Sequence, residues 1–187
     1  PDFDIDDVRY SVITYAASQQ ANAMGPSVID PRSGEIIEAD VVWWHNVMTL
    51  LHTWIRVQNG PVDPRARLNT FDDEYMASAI RFVSSHEVGH TFGLKHNMGA
   101  SWSFPVDSLR SRTFTAKMGG TASSIMDYAR FNYVAQPEDH VERFTPVIGI
   151  YDKYAINWAY RWLDAKDPHE ELPVLNNWIT EHSGDPL

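Results

Sequence analysis

An α+β fold is predicted by three features of this 187-residue chain. Short segments rich in β-branched and aromatic residues fall before residue 45. A helical spacing of apolar residues begins at residue 46 and recurs near the C-terminal end. Between the helical parts, residues 97–125 carry scattered Gly, Ser, Thr and Pro that favour irregular structure. Apolar residues are 43% of the chain and charged residues 21%, which supports a sizeable core and excludes a disordered segment. The length suits one domain or two tightly joined lobes.

The elements follow in order. Segment 8–14 (VRYSVIT) reads as a strand, and 15–25 as small, polar chain ending in the break Gly25-Pro26. Ser27-Val28-Ile29 and Glu35-Ile36-Ile37 flank Asp30-Pro31-Arg32-Ser33-Gly34, where Pro presets an early turn φ and Gly accepts a positive one, so a hairpin is expected. Residues 40–44 (DVVWW) continue the strand character. Val47, Leu50, Leu51, Trp54 and Ile55 lie at helical spacing, and Asn59-Gly60-Pro61 ends that helix. A second helix is expected from Asp72 or Asp73, capped by Thr70 or Asp72, with Met76, Ala79, Ile80 and Val83 on one face and Gly93 at its end. Residues 149–163 predict another helix, packed through Tyr154, Ile156, Trp158 and Trp162, and a last helix covers 170–182.

Charge and cysteine content narrow the classes of function. Lys and Arg total 15 against 25 Asp and Glu, a net charge of −10, which argues against a nucleic-acid partner. With no cysteine, disulfides and thiolate metal sites are excluded, and any metal must be held by His, Asp, Glu or Tyr. No apolar run approaches the length of a membrane span. No signal peptide is visible, and the start at Pro1 rather than Met suggests a processed or excised piece of a longer protein.

The chemistry is concentrated in His86-Glu87-Val88-Gly89-His90-Thr91-Phe92-Gly93-Leu94-Lys95-His96. Two histidines four apart on a helix share a face, so both imidazoles can reach one ion at about 2.0–2.1 Å. Glu87 points roughly 100° away around the helix, where it can hold a water on that ion. Gly93 can take the left-handed conformation that ends a helix and turns the chain back, placing His96 as the third ligand. Three histidines leave a fourth position open for water, the arrangement of catalytic rather than structural zinc. The full H-E-x-x-H-x-x-G-x-x-H pattern arises by chance only about once in 10⁵ chains of this length.

This extended motif resembles that of the metzincins, zinc peptidases that add a Met-turn downstream. Ser124-Ile125-Met126-Asp127-Tyr128 is similar to the S-x-M-x-Y turn of astacin-like and serralysin-like members. The resemblance implies that Met126 forms an apolar floor beneath the imidazoles, and that Tyr128 is a further zinc ligand or a support for the transition state. It implies a zincin fold with an upper lobe over about 1–95, holding a twisted mixed sheet and the active-site helix. An irregular, mainly helical lower lobe would cover about 96–187, the whole forming one catalytic domain. The stretch is also similar to large bacterial zinc-dependent metalloproteases, which implies an exported protein, whether periplasmic, cell-surface or secreted. Metzincins usually open with a strand and a long helix ahead of the strand at 8–14, so the chain is expected to begin inside the catalytic domain.

The expected activity is therefore zinc-dependent endopeptidase action on proteins or peptides, with Glu87 as general base for a zinc-bound water. Two other readings stay open: a metal-bearing but inactive peptide-binding module, and a zinc hydrolase of a non-peptide amide. Residues 35–44 are the candidate strand edge for pairing with an extended substrate. His45 and His52 read as packing residues, His140, His169 and His182 as surface residues, and the run Asp2, Asp4, Asp6, Asp7 as a solvated face lacking the glycine and terminal glutamate of a calcium loop.

Overall fold

The computed structural model describes residues 3–185, so Pro1 and Asp2 lie outside the described residues. Strand β1 (Ile13–Ala16) pairs in parallel with β5 (Val41–Trp44), and β2 (Ala23–Met24) pairs antiparallel with the other side of β5, giving a mixed three-stranded sheet of order β1-β5-β2. Strands β3 (Ser27–Ile29) and β4 (Ile36–Ala39) form a separate antiparallel hairpin. Its turn is the predicted one: Gly34 sits at φ +80° and donates its amide to Asp30 O at 2.8 Å.

Two strand expectations need correction. The first strand begins at Ile13, not at residue 8, because Asp4 and Asp7 fold residues 4–10 into turns: the amides of Asp7 and Tyr10 bond Asp4 O and Asp7 O, and the Asp7 carboxylate holds the Arg9 amide and guanidinium. Residues 35–44 are not one edge. Asp40 separates β4 from β5, its carboxylate accepting the Val12 amide at 2.7 Å, and β5 has neighbours on both sides. The edges of the three-stranded sheet are β1 and β2, and β2 falls in the segment 15–25, read from sequence as small, polar chain.

Helix α1 (Val47–Asn59) buries Val47, Leu51, Ile55 and Asn59, one per turn. Helix α2 (Asp73–Thr91) starts at its predicted cap, where the Asp72 carboxylate accepts the Tyr75 amide at 2.8 Å and Asp73 and Glu74 complement the helix dipole. It packs on two sides. Ala23, Trp43 and Val47 meet Ile80 and Val83, while Leu51, Ile55, Tyr75, Ala79 and Phe82 form one core with Ile125, Met126 and Phe131. The Phe82 and Phe131 rings meet edge-on at 5.9 Å, joining α2 to the segment that follows it by some forty residues.

The stretch 97–125 contains two short helices, α3 (Val106–Leu109) and α4 (Arg112–Met118). Helix α4 is too short for apolar periodicity to reveal, and its signals are its caps: Ser111 Oγ accepts the Phe114 amide and Gly119 closes the end at φ +79°. Helix α5 (Ile150–Tyr160) and helix α6 (Pro168–Glu181) match expectation in position but not in packing. Trp158 is 41% and Trp162 82% exposed, Trp162 lying beyond the helix end, while the buried residue of α5 is Asp152. No helix among the described residues is long and apolar enough to cross a membrane.

The start of α2 is clamped. Asp63 caps a 3₁₀ turn at Pro64–Arg67, its carboxylate holds the Arg65 guanidinium at 2.8 Å, and that guanidinium lies 4.5 Å from the centre of the Tyr75 ring. Burial raises the Asp63 carboxyl, but the Arg65 side-chain and backbone hydrogen bonds together outweigh it and hold the group below its ordinary range. A carboxyl depressed in the folded state contributes stability above its unfolded pKa and loses that contribution as pH falls through the folded value. Denaturant melts should therefore show acid destabilisation below about pH 4 that Asp63→Asn reduces, with a loss of about 1–2 kcal/mol at neutral pH in the variant. Equal acid sensitivity in both proteins counts against the clamp.

Candidate metal centre

The last two turns of α2 carry His86 and His90 on one face. His86 Nδ1 lies 2.8 Å from Ile125 O, and His90 Nδ1 lies 2.8 Å from Leu94 O. A carbonyl only accepts, so each Nδ1 carries the proton and each Nε2 presents a bare lone pair, the tautomer a metal requires. Gly93 then reverses the chain at φ +83°, with Gly93 N bonded to His90 O at 2.9 Å and Leu94 N to Gly89 O at 3.1 Å. These two bonds form a Schellman closure, and the same turn that ends the helix aims the Leu94 carbonyl at His90.

His96 Nε2 arrives 3.2 Å from the Nε2 atoms of both His86 and His90. Among the described residues, these three form the group whose ligand atoms lie close enough to hold a metal. The spacing fits zinc: four tetrahedral ligands at about 2.0–2.1 Å are separated from one another by about 3.3–3.4 Å. Burial, then the neighbouring histidines, pushes His86 down in pKa, and burial, then His90, does the same to His96, so both favour the neutral form. The Tyr128 hydroxyl lies 3.0 Å from His96 Nε2, beside the same point.

Glu87 points elsewhere. It is buried, 7% exposed, and burial pushes its carboxyl up to about 7, against the pull of the Gly25 backbone amide. The burial depends on a close approach: a Cβ at Gly25 would stand 2.5 Å from Glu87 O and 2.9 Å from His90 Cβ, so the β2–β3 connection can cross α2 there only as glycine.

The turn at Ser124–Tyr128 reaches the imidazoles through the Ile125 carbonyl and the Tyr128 hydroxyl. Met126 is 2% exposed and faces Gly89, where a Cβ would stand 2.3 Å from its Sδ. Sequence reasoning singled out Met126 but missed its counterpart Gly89, and it missed Asp152 altogether. This carboxylate, 3% exposed, accepts Ser124 Oγ at 2.5 Å and the amides of Ile125 and Gly149 at 2.7 Å each, while Ser124 Oγ accepts the Met126 amide at 3.0 Å. The chain of contacts runs from Asp152 through the Ile125 peptide to His86 Nδ1. Its only sequence signal is an acid three residues past Gly149 at a helix start, which reads as an ordinary cap.

The remaining candidates stay apart. His45 bonds the Tyr15 hydroxyl, His52 stacks on Phe71 at 4.2 Å, and His140, His169 and His182 are exposed. Asp4 and Asp7 act within their own turns. A cavity of about 100 Å³ adjoins His86 and Glu87. A larger one of about 720 Å³ lies on the far side of α2, against residues 142–148, and contains none of the histidines.

The model of a family described as Met-zincin matches residues 68–187, well over half of the chain, a span that includes all three histidines, Glu87, Met126 and Tyr128. No curated protein and no solved structure matches the chain.

Two substitutions probe this support. Asp152→Ala strands one hydroxyl and two amides in the interior and frees the Ile125 carbonyl that orients His86. Competition with a chelator should show zinc affinity falling by about 10–100-fold, beside a lowered Tm. Unchanged affinity in a destabilised variant would show that the carboxylate serves folding alone. Gly89→Ala drives a methyl into Met126, and calorimetry should report a loss of about 1–3 kcal/mol.

Proposed function

Because this chain belongs to the Met-zincin family, we propose that it is a zinc-dependent endopeptidase. His86, His90 and His96 are its metal ligands, Glu87 its general base, and Met126 the floor of the site. The observation that carries the reading is the meeting of three Nε2 atoms, His96 at 3.2 Å from each of the others, beside a buried carboxylate that is not one of the set. When bound, zinc supplies a Lewis acid that makes water nucleophilic near neutral pH and offsets negative charge on the scissile carbonyl oxygen.

The chain's own residues do the rest. A Glu87 carboxylate oxygen takes a proton from the attacking water as the water oxygen bonds to the carbonyl carbon. It then delivers that proton to the amide nitrogen as the C–N bond breaks. A carboxyl held out of bulk water serves both halves of this exchange, and the burial of Glu87 supports that role. The Tyr128 hydroxyl, 3.0 Å from His96 Nε2, is close enough to the metal position to donate to the developing oxyanion or to join the ligand set. Substrate lies extended in a cleft between an upper lobe of about 1–95 and a lower lobe of about 96–187. It pairs with β2, whose residue Met24 is exposed and whose end at Gly25 touches Glu87.

The test uses a mixed peptide library, zinc-loaded protein, the same protein stripped by chelator, and Glu87→Gln. Cleavage should vanish on chelation and return with zinc. Glu87→Gln should keep one zinc per chain and lose about 10²–10⁴-fold in kcat. Cleavage indifferent to Glu87→Gln would remove the mechanism, and peptide binding without cleavage by the zinc-loaded chain would instead mark a binding module.

A further inference from the structure

Arg130 stands two residues past Tyr128 in a conformation few arginines adopt, at φ +60°. Its guanidinium carbon lies 4.1 Å from the centre of the Trp54 ring and 4.8 Å from that of Tyr128, so two aromatic faces hold it. It lines the cavity of about 100 Å³ that it shares with Leu50, Trp54, Val83, His86 and Glu87. The chain carries 25 acidic side chains against 15 basic ones, yet among the described residues Arg130 takes part in no salt bridge. The neighbouring Asp127 instead gives its carboxylate to the Ser101 amide at 2.6 Å.

We propose that Arg130 makes this cavity a subsite for a carboxylate carried by the substrate next to the scissile bond, an Asp or Glu side chain. The inference rests on the peptidase reading for its setting, and its geometry is independent of it. A half-buried guanidinium held against two rings has already lost the rotamer freedom that an exposed arginine gives up on binding, and its planar donors suit a carboxylate. Leu50, Trp54 and Val83 supply apolar wall, while Asn22 and Tyr128 add polar groups to the same cavity. Glu87 lines the same cavity without pairing to Arg130, which leaves the base free and the cation available. A small cavity also excludes the large aromatic side chains that an open apolar pocket would accept.

The decisive measurement is binding of matched peptides to the zinc-loaded chain bearing Glu87→Gln, which separates recognition from turnover. The peptides carry Asp, Glu, Asn, Gln or Lys at each position flanking the centre, each made with a free and an amidated C-terminus. Acidic peptides should bind about 10–100-fold more tightly than their amide counterparts, a preference that falls with salt and disappears in Arg130→Gln. The preference should survive amidation of the terminus, and affinity set by the free terminus alone, whatever the flanking residue, overturns the assignment to a side chain. Arg130→Glu should invert the order in favour of Lys. A flat profile in the parent chain overturns the proposal whether or not the variants fold, as does a preference that survives Arg130→Gln in a protein shown to be folded by circular dichroism. Acidic preference in binding together with absence of cleavage by the chain retaining Glu87 would overturn the peptidase reading and leave this subsite standing.

Discussion

Three imidazole nitrogens meet, those of His86 and His90 with bare lone pairs and His96 at 3.2 Å from each, and the contacts around them keep them there. Without a cation, such an arrangement is electrostatically unfavourable, since each Nε2 turns the negative end of its dipole towards the others. It persists only if other contacts determine where each ring points. His86 is fixed through Ile125 O, which belongs to a turn 39 residues away, whereas His90 is fixed through Leu94 O, four residues on. One ligand therefore depends on tertiary packing and the other on local helix termination. Metal binding to such a preset trio need not order the chain at the same time, which favours affinity.

The long-range half of this support explains the layout of the core. The turn that holds His86 can sit beneath α2 only if nothing fills the space, hence Gly89 above Met126, and only if its own backbone groups are satisfied, hence Asp152. A buried carboxylate without a cation is tolerable because it accepts three hydrogen bonds. Glu87 is a buried carboxyl facing one backbone amide, and burial pushes it up to about 7. The two carboxyl groups thus differ in the number of donors pointed at them.

The pattern of what could be read from sequence follows from the range of each interaction. The H-E-x-x-H helix, its Asp72 cap, the Gly93 turn and the Asp30–Gly34 hairpin are local, and each is recognisable within a dozen residues. Met126 and Tyr128 were accessible through resemblance; Met126 packs against Gly89, and the Tyr128 hydroxyl lies 3.0 Å from His96 Nε2. Strand β2 was missed because two residues hold no periodicity, and they form a strand only because β5 offers them an edge. Trp158 and Trp162 were assigned to packing on hydrophobicity, but the turn of α5 that faces the core presents Asp152 to backbone amides instead. Asp152, Gly89 and Arg130 share one difficulty: each acts on a residue that no fixed spacing connects to it.

The family match begins at residue 68, just ahead of α2, and so takes in every histidine of the trio together with Glu87, the turn beneath them and Asp152. The residues before it are not spectators. Gly25 crosses α2 in close approach to the Glu87 backbone, β2 provides a strand edge beside that crossing, and Trp54 on α1 holds the guanidinium of Arg130. The histidine trio is thus assembled within the matched span, while the surroundings that bury Glu87 and shape the adjoining cavity come in part from outside it. Two chains could share the first and differ in the second. On this division, the identity of the metal ligands says little about which substrate is accepted, and the contacts between residues 22–54 and the face of α2 that bears Glu87 say a good deal more.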